Sequence, residues 1–222
     1  VLMMHRARQL LIRQRTMLVN ALRAHIAELG MVSRQGITGA NQLIALIECE
    51  EDKSIPNVAR TALTPLVRQL RTIQREVDHL QDAIQDWHKQ SDLSMRLENI
   101  PGIGPITASA LAATVTNPEV FKSGRQLAAW IGLVPRQNSS GGKTRLGRIT
   151  KQGDPYLRRL LVLGAHAVLR FRQHGKAAST RWAASLLERK PYMVCAVALA
   201  NKMARVVWAI MMHGSKFEVQ RA

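Results

Sequence analysis

Acidic residues are scarce in this chain. Its 222 residues hold 15 Asp and Glu against 32 Lys and Arg, a formal net charge of +17, with a pI near 11.3. That imbalance argues for a polyanionic partner, because each Lys or Arg set beside a phosphate releases a condensed counterion. Charge alone fits nucleic acid, a ribosome or an anionic membrane surface. Aromatics are scarce too, at 4 %. With alanine and leucine abundant at helical spacing throughout, this favours an all-α fold. Only two cysteines occur, Cys49 and Cys195, far apart in apolar helical contexts. They offer neither a disulfide framework nor metal-ligand spacing, which points to a reducing cytoplasm. There is no cleavable signal at the N-terminus. The most apolar stretch, Tyr192 to Met212, is interrupted by Asn201, Lys202 and Arg205, so a buried or amphipathic helix is expected there and no membrane span. The length allows one large domain or two small ones. Val1 stands where a start methionine would, so a fragment or a processed or remnant product is expected.

What is present is mostly helix. Ala7, Leu11, Leu18, Leu22 and Leu29 recur at steps of four and seven, predicting one helix over 1–29 with Gly30 as its stop. Arg6, Arg13, Arg15 and Arg23 fall on its other faces, either as phosphate contacts or as a solvated surface. Residues 31–41 read as a loop with Gly36, Thr38 and Gly39, and 41–51 as a short helix ending acidic. Beyond Pro56 and Pro65, the residues Leu66, Leu70, Ile73, Val77, Leu80, Ile84 and Trp87 follow a heptad pattern. That pattern makes either a coiled-coil seam or a hairpin partner for the first helix, and in both cases a helical arm over about 57–98. The division expected is an arm over 1–98 and a compact domain over 99–222. Helices are predicted in the latter at 105–115, 123–131, 154–172, 176–188 and 191–213. Asp154 is the N-cap of the third, with Pro155 at its first position.

Three motifs carry chemistry. Ile100-Pro101-Gly102-Ile103-Gly104-Pro105 is a tight turn leading straight into a helix. Outward amides at Gly102 and Gly104, together with a helix N-terminus, form an anion site; a plain helix–helix turn is the alternative. Ser139-Ser140-Gly141-Gly142-Lys143 puts a serine on a backbone that a phosphodiester can approach closely. Lys143 and Arg145 would neutralise charge there. A hydroxyl needs a base or metal to attack, and no acid or histidine is near in sequence. On spacing alone, a flexible loop that touches phosphate is the simpler reading. The third motif is a basic run: Lys143, Arg145, Arg148, Lys151, Arg158 and Arg159, continuing through Arg172 and Lys176 to Lys190, is opposed only by Asp154 and Glu188. A run of one sign reads as a nucleic-acid footprint, without distinguishing DNA from RNA. His166, His174 and His213 lack metal-ligand spacing. Trp130, Trp182 and Trp208 fall on helical faces, where core positions are expected.

In combination these residues resemble the insertion-sequence transposases with a DEDD acidic quartet, which act as bridge-RNA-guided recombinases. The match runs through Arg13 to His25, Pro101 to Pro105, and Phe121 to Leu161, and covers nearly the whole chain. Its most specific block is Gly132-Leu133-Val134-Pro135-Arg136, then Ser139 to Lys143, then Gly147 to Gly153. The first turn also resembles a helix-hairpin-helix element, which holds a DNA backbone without reading bases. The resemblance implies an RNase-H-like domain holding Mg²⁺ through four acids, a helical linker and a serine-bearing C-terminal domain. It places the nucleophile at Ser140, with Ser139 as the alternative, forming a 5′-phosphoserine link to DNA. A guide RNA, a homo-oligomer built through the arm and a bacterial nucleoid location are implied as well. Glu48, Glu50, Glu51 and Asp52 have neither the context nor the strand setting of that quartet. The expectation is therefore a truncated transposase that binds nucleic acid and is inactive alone. The rivals are a non-enzymatic helix-hairpin-helix DNA-binding module and a helical dimerisation factor.

Overall fold

The computed structural model describes residues 1–139, 142–143, 145–171, 178–215 and 217. The order is α1 (Leu2–Glu28), α2 (Gly36–Glu48), α3 (Asn57–Gln90), α4 (Asp92–Glu98), α5 (Pro105–Thr114), α6 (Gly124–Trp130), β1 (Pro135–Gln137), β2 (Leu146–Ile149), α7 (Pro155–Arg170), α8 (Ala178–Leu187) and α9 (Tyr192–His213). The fold is all-α, with one small hairpin. It divides into two units, Met3–Ala83 and Ile84–Ala222, the second also taking Val1–Leu2.

In the Met3–Ala83 unit, Leu22 and Ile26 of α1, Leu43 and Ile47 of α2, Ile55, and Leu63, Val67 and Leu70 of α3 form one core. The heptad positions of α3 are thus used inside the chain: Leu70, Ile73 and Val77 are buried. Arg8 and Arg15 of α1 donate to Gln81 and Gln74 of α3 at 2.7 and 2.8 Å. This is the hairpin alternative of the sequence reading. Of the α1 stripe expected, Leu22 is buried and Leu11 and Leu18 are half-buried, whereas Ala7 and Leu29 are exposed and Ile26 is buried beside Leu22. The loop expected over 31–41 is a helix from Gly36 onward. Arg23 donates to the carbonyls of Arg34 and Gly36, both at 3.1 Å, and Gly39 is buried with Arg34 O against the place of a Cβ. Packing there overrides the turn signal of two glycines. Arg60 donates to the carbonyls of Leu46, Ile47 and Asp52, which sets a cation at the C-terminus of α2.

In the Ile84–Ala222 unit, the core is built around α9. Its Cys195, Ala196, Leu199, Ala200, Met203, Ala204, Val207 and Ile210 are all buried, against α4, α6, α7 and α8. α9 is long and apolar enough to cross a membrane by length and composition alone; here alanines at helical spacing let its neighbours approach closely. Arg96 of α4 donates to Gly214 O at 2.8 Å, closing the C-terminus of α9. The arm expected over 57–98 is interrupted at Ser91, whose extended backbone caps α4 and whose hydroxyl accepts from Ser94 N. His88 of α3 bridges the break, bonding Ser94 Oγ at 2.7 Å and Glu98 Oε2 at 2.9 Å. Asp154 caps α7 as expected, its Oδ1 accepting from the amides of Tyr156 and Leu157 at 2.7 and 3.1 Å.

His5 is buried in α1. Burial first, then the Arg8 charge, lowers its pKa from 6.5 to about 4. A depressed histidine pKa favours the neutral folded form, so its contribution is complete above pH 6.5 and is lost as pH falls towards 4. His5→Gln is expected to flatten the fall in stability across that window, read as urea midpoints at stepped pH. An unchanged profile would show that His5 does not titrate with folding.

Candidate nucleic-acid interface

The turn between α4 and α5 presents its two glycines differently. Gly102 has φ +87°, and a Cβ on it would lie 2.7 Å from Gly164 O in α7. A Cβ on Gly164 would in turn lie 2.0 Å from Gly102 O. Gly102 therefore lets the turn touch α7 backbone to backbone. Gly104 is exposed, with nothing within 4 Å of its Cβ position. It is the N-cap of α5, makes no side-chain cap and is followed by Pro105. The open helix N-terminus is thus at Gly104. Ile100 and Ile103 are buried beneath it.

Ser139, expected in a mobile Gly-Ser loop, stands at the end of a β-hairpin. β1 and β2 are antiparallel, with Pro135 opposite Ile149 and Gln137 opposite Leu146. The amide of Asn138 donates to Arg145 O at 2.8 Å, and the amide of Arg145 donates to Ser139 Oγ at 3.1 Å. Ser139 is therefore fixed at the end of the ladder. Ser140 lies outside the described residues, as do Arg172, His174 and Lys176. Lys143, Arg145 and Arg148 are exposed. The hairpin escaped the sequence reading because its strands are only three and four residues long and almost wholly exposed, leaving no alternation to read. The Ser-Gly-Gly turn chemistry was its only local signal.

The hairpin base is clamped against the start of α7. Gly132 and Gly153 both have positive φ, and a Cβ on Gly153 would sit 1.8 Å from Trp130 O. Arg158 Nη1 crosses the junction, donating to Ile131 O at 2.8 Å and Gln152 O at 2.9 Å. Arg158 is half-buried and Arg159 is exposed, so the two arginines expected together on a phosphate path have different tasks here. Lys151 has φ 57° and is exposed.

Arg148 and Lys151 open onto a groove of about 1340 Å³ between the hairpin, α6, α8 and α9. Arg125, Lys202 and Arg205 share its lining, and among the described residues no Asp or Glu does. These three escaped the sequence reading, which took Lys202 and Arg205 as breaks in an apolar run. Their spacing with Ala198, Asn201 and Ala209 is that of one helix face, and that was the available signal. Trp130 and Trp182 are 42 % and 39 % exposed rather than core. Trp208 is half-buried and donates to Pro118 O and Phe121 O. Among the described residues no three His, Cys, Asp or Glu side chains gather as a metal site.

Residues 94–180 match the model of the transposase family IS116/IS110/IS902. A probable family 20 transposase of Pseudomonas aeruginosa is 43% identical over 94% of this chain and 62% of its own length. The transposase for insertion sequence element IS1328 of Yersinia enterocolitica is 33% identical, over 96% of this chain and 63% of its own. The transposase for insertion sequence element IS1111A of Coxiella burnetii is 33% identical over 92% and 56% respectively. The chain therefore spans about three fifths of the length of these relatives.

Arg158→Met is expected to lower stability by about 1.5–3 kcal/mol, since it removes charged donors from two carbonyls. Arg159→Met is expected to leave the melting temperature unchanged and to reduce the salt slope of nucleic-acid binding by about 1. The reverse pattern would exchange the two roles. Gly153→Ala is expected to cost about 1–3 kcal/mol through its backbone conformation alone, with the clash on Trp130 O adding to it. Thermal melting checks each variant.

Proposed function

We propose, from the match of residues 94–180 to the IS116/IS110/IS902 transposase family model, that this protein acts in DNA transposition as the part of an insertion-sequence transposase that grips nucleic acid and bears the nucleophile. One observation carries this reading. Ser139 stands at the end of a hairpin whose described side chains include Lys143, Arg145 and Arg148 and no carboxylate. Such a hairpin can bring a serine to a phosphodiester within a field of one sign.

Ser140 is the proposed nucleophile, with Ser139 as the alternative. The Oγ–phosphorus bond forms, the phosphorus–O3′ bond breaks, and the 3′ hydroxyl takes up a proton in place of the one the serine loses. The product is a 5′-phosphoserine link. Gly104, Lys143, Arg145, Arg148, Lys151 and Arg159 would hold the backbone, whereas Gly102 and Arg158 act through packing. The DEDD quartet, its Mg²⁺, a guide RNA and action within the bacterial nucleoid belong to the same proposal. The described residues of this chain gather no donor set that fits the metal, so no step is assigned to it here.

Self-association would use α1. Met3, Leu10 and Met17 lie seven residues apart and are 83 %, 54 % and 70 % exposed, which is the spacing of a coiled-coil seam. Leu10→Lys with Met17→Lys is expected to reduce an oligomer to monomer in sedimentation; wild-type protein already monomeric at high concentration would dismiss the seam.

The enzymatic reading is tested by a covalent adduct. The chain is mixed with the acidic domain of a close relative, Mg²⁺, guide RNA and 5′-labelled donor DNA, and resolved on a denaturing gel. A DNA–protein adduct that disappears with Ser140→Ala is expected. Salt-sensitive binding without an adduct would leave the DNA-binding module as the function.

A further inference from the structure

We propose that the groove between the hairpin and α9 holds an unpaired nucleic-acid strand, with its phosphates on the cationic rim and its bases against the apolar floor. This rests on the nucleic-acid reading above and extends it to the form of the ligand. The volume of about 1340 Å³ exceeds the roughly 300–1,000 Å³ of small-molecule pockets, which suits a polymer segment. Charge fixes the sign of the occupant. Arg125, Arg148, Lys151, Lys202 and Arg205 line the groove, and no acid among the described residues does.

The floor fixes the rest. Met193 and Val194 line the groove and are 56 % and 51 % exposed. Trp182 stands beside them with Lys202 Nζ 4.5 Å from its ring centroid. A duplex keeps its base faces stacked inside and offers only charged backbone to such a floor. An unpaired strand offers both phosphates and flat apolar faces, the combination that aromatic platforms in basic grooves accept. Trp182 and α9 lie beyond the 94–180 segment, so this surface adds to the hairpin rather than restating it. The contacts are to phosphate and to base faces, so DNA and RNA strands share the chemistry.

The test measures anisotropy of a short fluorescein-labelled strand, as DNA, as RNA and as the annealed DNA duplex, on the full chain. Met193→Asp puts an acid on the floor, and Trp182→Leu removes the platform; both positions are exposed, and circular dichroism melting checks folding. Each variant is expected to weaken single-strand binding about tenfold and to leave duplex binding unchanged. Equal loss for DNA and RNA strands assigns shared chemistry, and loss for one alone assigns that strand as the occupant. Wild-type single-strand affinity in both variants overturns the inference, and competition by an acidic amphipathic peptide would then assign the groove to a protein. If the wild-type chain binds neither strand nor duplex, the nucleic-acid reading itself fails.

Discussion

Where α6 ends and α7 begins, two backbone segments meet with no side chain between them. Gly132 lies against Gln152, and Gly153 lies against the carbonyl of Trp130. The amide of Lys151 donates to Gly132 O and that of Thr150 to Val134 O, so the far end of the hairpin is tied to the turn that precedes it. Arg158 spans the same junction. The direction of the hairpin follows from this junction, and so do the placement of Lys151 and one wall of the groove. An alanine at either glycine would need space that carbonyl oxygens occupy, and it would need a positive φ as well.

The positive charge of the chain performs two kinds of work. Arg23, Arg60, Arg96 and Arg158 are turned inward, each onto backbone carbonyls. They close helix ends and loops that would otherwise leave carbonyls without donors. Lys143, Arg145, Arg148, Lys151 and Arg159 are exposed. This second group, with the groove cations Arg125, Lys202 and Arg205, is available to a ligand, and it lies in a segment where acids are nearly absent. Net charge alone overstates the interface, because it counts both groups together.

Much of the helical framework was legible because period and caps agree. The α7 start at Asp154-Pro155, the span of α9 and the short helix at 124–130 follow from those signals. The early start of α2 was not legible, because packing there overrides its glycines, whereas the break at Ser91 rests on a local cap from Ser94 N that the reading of one continuous arm passed over. The site was legible as a list of residues and not as roles. Sequence placed Gly102 with Gly104 and Arg158 with Arg159, whereas contact with α7 and with the α6 carbonyls separates each pair. The groove-facing stripe of α9 was hidden for the opposite reason: Lys202 and Arg205 looked like interruptions in an apolar run, and only the position of the hairpin shows that they share a face with it.

The central claim is that the exposed cations of the Ile84–Ala222 unit grip a nucleic-acid backbone. The salt dependence of binding tests it most directly. With Arg145, Arg148, Lys151 and Arg159 each neutralising one phosphate, the logarithm of affinity for duplex DNA should fall with the logarithm of salt at a slope of about −3.6. A slope near zero, at any affinity, would mean that these cations face something other than phosphate and would contradict the account.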